Sequence, residues 1–104
     1  MAPDDIGEII ATRYLRLAAD NHTERTISIF VGKPRLIPDA SGYLCPFQVV
    51  GAGSEQTQAA QGCDSLQALQ AALILIGAIL NHLNDQFGRR LSWEGHARGE
   101  LGFP

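Results

Sequence analysis

Two cysteines and three histidines are the residues of this 104-residue chain best suited to chemistry. Cys45 and Cys63 stand equidistant from Ser54, so a hairpin turning there would set them face to face. In that register they could make a cross-strand pair, a redox couple, or half of a zinc site completed by His82 or His96. The spacing has none of the short C-x-x-C clustering that marks a tetrahedral zinc site. A slip of one residue would also separate the two thiols. The pattern therefore fits buried, inert thiols. Cys63 directly precedes a helix start, where the macrodipole favours a thiolate, but Asp64 beside it opposes a second negative charge.

His22 falls in a turn, His82 late in a helix and His96 in the tail, and none forms an i, i+4 pair with a ligand-type residue of the kind a helical metal site uses. Each reads as solvated. Asp4–Asp5 and Arg89–Arg90 read as solvated charges too, the arginines also suiting the negative end of a helix. The glycine-containing GAGSE (51–55) lacks the strand–loop–helix context and lysine of a phosphate loop, so it reads as a turn. Acid–base catalysis needs groups converging on one pocket, and the sequence nominates none. No cofactor and no metal is expected.

Composition narrows the partners. The net charge is −3, and among the eight Lys and Arg residues only Arg89 and Arg90 are adjacent. Nucleic acid needs a concentrated basic surface and is not expected. The N-terminus, MAPDDIGEII, lacks the basic-then-apolar order of a secretory signal. The apolar run AALILIGAIL (71–80) is shorter than the ~18 residues of a membrane span, so no membrane partner is expected. Two cysteines without a secretion signal suit a reducing cytoplasm, and a cytoplasmic location is the expectation.

The length suits one domain spanning 1–104, with residues 1–8 as a loose leader and 88–104 as a C-terminal arm. Period-two alternation predicts a strand over 9–18, with Leu15 and Leu17 on one face and Tyr14 and Arg16 on the other. A second strand runs from Arg25 to about Arg35, with Ile27, Ile29 and Val31 opposite Thr26, Ser28 and Phe30. Pro34 ends it or confines it to an edge. A third, over 43–50, sets Tyr43, Cys45, Phe47 and Val49 on one side. A polar, alanine-rich fourth is read at 56–61, and a short fifth at 90–94.

Asp64 and Gln67 form a capping box, and Gly88 suits the position after a helix C-terminus. Between them lies roughly 34 Å of helix. Leu66, Leu69, Leu73, Ile76, Leu80, Leu83 and Phe87 recur at spacings of three and four, which predicts the stripe that faces the sheet. The expected fold is α+β: a two-layer domain of order β-β-β-β-α, with an antiparallel sheet of about four strands and one long C-terminal helix across one face.

That stripe leaves a surplus. Leu75 and Ile79 lie round to one side of the helix, and Ile74 falls among Gln67, Gln70, Asn81 and Asp85 on the solvent face. Three covers are open. The tail, with Leu91, Trp93, Leu101 and Phe103, could fold back over the flank; a second copy could pack there, with Ala71, Gly77 and Ala78 allowing close approach; or a different protein could dock. On the outer face of the sheet, Leu44 and Val50 point away from the helix, joined by Tyr14 and Phe30 as a second candidate surface.

The helix start DSLQAL and the terminal LGFP, following a β-rich half, resemble a bacterial family of small uncharacterised proteins. The resemblance runs from about the second strand to the end, and it implies no activity, cofactor or catalytic residue. The sequence points to a small cytoplasmic interaction module, non-catalytic, that self-associates or binds a protein partner. Its candidate surface is Ile74, Leu75, Ile79, Tyr14 and Phe30. The alternative is a small enzyme or a ligand- or metal-binding domain using Cys45, Cys63 and a histidine.

Overall fold

The computed structural model describes residues 5–18, 23–52, 55–93 and 100–104. The elements run β1 (Ile9–Ala18), β2 (Glu24–Gly32), β3 (Arg35–Leu36), β4 (Tyr43–Val50), β5 (Gln58–Gly62), α1 (Ser65–Gln86) and β6 (Leu91–Ser92). The fold is α+β, with an antiparallel sheet of six strands rather than about four and one C-terminal helix.

The two additional strands are short. β3 continues the edge of β4 that β2 occupies. Val31 pairs with Phe47, and after Lys33–Pro34 the ladder resumes with Arg35 opposite Leu44. Proline removes one donor, so it interrupts the strand without ending it. β6 adds to the far side of β1 through Arg16–Ser92 and Leu17–Leu91, within the predicted 90–94. Across the sheet the order is therefore β5, β4, β2 with β3, β1 and β6.

The expected leader is not loose over residues 5–8. Lys33 donates its backbone N–H to Glu8 O at 2.8 Å, and Arg35 donates to Asp5 O at 3.1 Å and pairs with its carboxylate. Asp4 lies outside the described residues.

Alternation builds the inner face as expected. Leu15, Ile27, Ile29, Cys45 and Phe47 are wholly buried, and each apolar side chain so placed contributes about 1.5–3 kcal/mol. The helix start also forms as expected. Asp64 accepts from Gln67 N–H at 2.7 Å, while the Gln67 side chain reaches back to Cys63 N–H.

The helix face differs. Its buried row is Ala68, Ala72, Ile76, Leu80 and Asn84, and Leu66 is 63% exposed. Leu69, Leu73, Leu83 and Phe87 pack along the margin, half-buried. The reason is closeness. A Cβ on Gly62 would lie 2.4 Å from Ala68 N, so β5 and the first helical turn nearly touch. At this end of the helix Ala68 and Ala72 hold the contact line with Leu66 and Leu69 beside it, and Ile76 and Leu80 take the line further along.

The helix closes with a Schellman pair. Arg89 N–H reaches Asn84 O at 2.6 Å, Gly88 N–H reaches Asp85 O at 3.3 Å, and Gly88 takes φ +70. The Asn84 side chain then accepts from buried Leu91 N–H at 2.9 Å. This bond hands the chain from α1 to β6.

Candidate functional site: two surfaces and an arginine clamp

The expected surface residues divide between opposite sides of the molecule. On α1, Ile74 is 57% and Leu75 is 38% exposed, with Ala78 exposed and Ala71 half-buried beside them. Ile79 does not join them, because it packs against the core. From Ser65 to Asn84 the helix carries no Asp, Glu, Lys or Arg. The solvent side of this stretch is serine, glutamine, asparagine, alanine, His82 and three exposed aliphatics, Leu66, Ile74 and Leu75.

The outer sheet face carries the other two. Tyr14 pairs across β1–β2 with Ser28, and Phe30 with Thr12, which makes the two aromatics diagonal neighbours. Tyr14 is exposed, whereas Phe30, Leu44 and Val50 are half-buried. Gln48, beside Phe30, donates to Thr57 Oγ1 at 2.7 Å, so polar groups interrupt this face.

The tail folds back, but over a different flank. Leu91 and Leu101 are buried and Trp93 and Phe103 pack on the core. A Cβ on Gly77 would lie 2.9 Å from Pro104 O, so the tail lies against the Leu73–Gly77 side of the helix. Ile74 and Leu75 stay exposed.

Arg13 holds the tail there. Its position on β1 faces the helix side, opposite Ile29 and between Ala11 and Leu15. Its guanidinium stacks 3.7 Å from the Trp93 ring centroid and 4.9 Å from that of Phe103. Nη1 donates to Leu101 O at 3.1 Å. In the sequence Arg13 is one of eight basic residues, and no basic run includes it. The available signal was its place: a cation on the face that Leu15 and Leu17 mark as inward needs aromatic cover.

The cysteines do not converge. The β4–β5 register sets Ala60, not Cys63, opposite Cys45. Cys45 is buried, donates weakly to Gly32 O at 3.5 Å, and burial pushes its thiol up to about 11. Cys63 is exposed, so only one thiol is buried as expected. His82 is exposed on α1, while His22 and His96 lie outside the described residues. Among the described residues no three His, Cys, Asp or Glu side chains group as metal ligands. Among the described residues, Cys45, Cys63 and His82 therefore share no common centre.

Over a full 18-residue window α1 has a mean hydropathy of 1.6 and is long and apolar enough to cross a membrane by composition, which the shorter run 71–80 concealed. A helix packed on a sheet through an alanine row carries the same composition.

No curated protein and no solved structure matches this chain. A family model described as a domain of unknown function (DUF6968) matches residues 11–104, from the third residue of β1 through the tail, and the chain belongs to that family.

Proposed function

We propose that this chain is a small, non-catalytic protein-interaction module, and that its partner is a second copy bound through the outer face of α1. The observation that carries this reading is the absence of charged residues from Ser65 to Asn84 on a helix that exposes Ile74 and Leu75. Exposed helix faces ordinarily hold charges, and the centres of interfaces are depleted of them.

A second copy fits this face better than a charged partner does. The chain carries a net charge of −3, yet two uncharged faces meet without repulsion. Ala71 and Ala78 stand one heptad apart with Ile74 between them. In an antiparallel pair about a two-fold axis near Ile74, each isoleucine enters the shallow groove that the partner's alanines leave, as an isologous contact requires. Half-exposed aliphatics gain only about 1 kcal/mol each on burial, so the dimer is weak and exchanging. An exposed Cys63 is compatible with a reducing cytoplasm.

Sedimentation velocity from about 1 μM to 1 mM spans the relevant affinities. The expected result is a concentration-dependent dimer that Ile74→Glu/Leu75→Glu abolishes while the circular dichroism melt stays unchanged. A monomer throughout, or a dimer indifferent to both substitutions, overturns the reading.

A further inference from the structure

Beside the arginine clamp lies a cavity of about 180 Å³. Ala11, Ile29 and Val31 form its sheet wall, Leu73 its helix wall, and Gly102–Pro104 its outer wall, with Thr12 and Arg13 as its polar side chains and Arg13 the one charged side chain among them. We infer that this cavity binds a small molecule with an apolar body and a single carboxylate head.

The size sets the body. Dry, apolar cavities of about 150 Å³ accept a benzene ring, and this one is slightly larger and open on one side. The lining sets the head. A guanidinium offers five N–H donors in a planar fork that matches a carboxylate. Here the described residues give Arg13 one acceptor, Leu101 O, two aromatic ring contacts and no carboxylate. Stacking on Trp93 and Phe103 fixes the plane of the guanidinium before any ligand arrives, which lowers the ordering cost of binding. The tail that forms the outer wall is also what the arginine holds. Gly102, at φ +81, has no room for a Cβ against Trp93 and Arg13, so the wall and the clamp are one unit.

The test uses the intact chain and three probes followed by amide chemical shifts. Benzoate carries both body and head, benzyl alcohol the body alone, and inorganic phosphate an anion alone. Benzoate is expected to give saturable shifts at Ala11, Ile29, Leu73 and Gly102, at least tenfold tighter than benzyl alcohol, and phosphate none at these positions. Ala11→Leu fills the cavity from an exposed backbone position and is expected to abolish the benzoate shifts without lowering the melt. Arg13→Gln is expected to bring benzoate down to the level of benzyl alcohol. No saturable shift with benzoate up to about 20 mM, equal binding of the two aromatic probes, or equal binding of phosphate overturns the inference. An Ala11→Leu protein that binds benzoate unchanged overturns it as well.

Discussion

Replacing Asn84 tests whether a single side chain joins the helix to the last strand. Asn84 is 3% exposed, and its Oδ1 accepts from the buried N–H of Leu91 at 2.9 Å. Asn84→Leu keeps the branching and heavy-atom count but replaces the amide oxygen and nitrogen with bulkier methyls, which deletes the acceptor. The orphaned N–H costs about 1–3 kcal/mol. Asn84→Ala adds an amide-sized void worth roughly 1 kcal/mol, for a total of about 2–4 kcal/mol. In a domain of this size that lowers the thermal midpoint by roughly 10–30 °C. Asn84→Asp keeps the acceptor but buries a carboxylate, whose protonated form is favoured by the fold. Its stability is therefore expected to rise as pH falls through the raised carboxyl pKa. Circular dichroism melts give the free energies, and hydrogen exchange of the Leu91 amide reports the bond directly. If Asn84→Leu melts within about 2 °C of the parent and the Leu91 amide stays protected, the side chain is not the link.

Further substitutions and conditions probe other joints. Gly62→Ala places a methyl 2.4 Å from Ala68 N, where only backbone can yield, and is expected to cost about 1–3 kcal/mol in a urea melt. Asp64→Ala removes the helix cap and is expected to cost about 0.5–2 kcal/mol by the same measurement. A thiol titration of the folded chain at pH 8 is expected to find one reactive group, Cys63, and two in denaturant. The fold favours the neutral Cys45 thiol, so its contribution is complete below pH 9 and is lost as pH rises towards 11. The alkaline loss should be absent from Cys45→Ala.

Local chemistry was the legible part of the sequence. Strand alternation defined β1 and β4 residue for residue, and the capping box located the helix start. The helix face was only partly legible: Ile76 and Leu80 of the expected stripe are buried, but hydrophobicity counts leucines, whereas the first turns, lying this close to β5, select for small side chains. Ala68 and Ala72 sit on the contact line and Leu66 projects into solvent. The cysteine pairing failed on register, which depends on how the loop after Val50 closes rather than on the spacing of two residues. Asn84 and Arg13 were hidden for a related reason. Each acts on residues far along the chain, Leu91 in one case and Trp93, Leu101 and Phe103 in the other.

The pairing of β1 with β6 also sets a clock on synthesis. A ribosome must add more than seventy residues between Ala18 and Leu91, which takes roughly 4–15 s at ordinary elongation rates. Throughout that interval the far edge of β1 has no strand beside it, and Arg13 has neither Trp93 nor Phe103 to stack on. An open hydrophobic edge of this kind recruits other nascent chains. The two arginines of β1, at positions 13 and 16, place a positive charge on each face of the waiting strand. Charges on a bare strand disfavour pairing with a wrong one, so the residue that later clamps the tail is also suited to guarding the strand before the tail arrives.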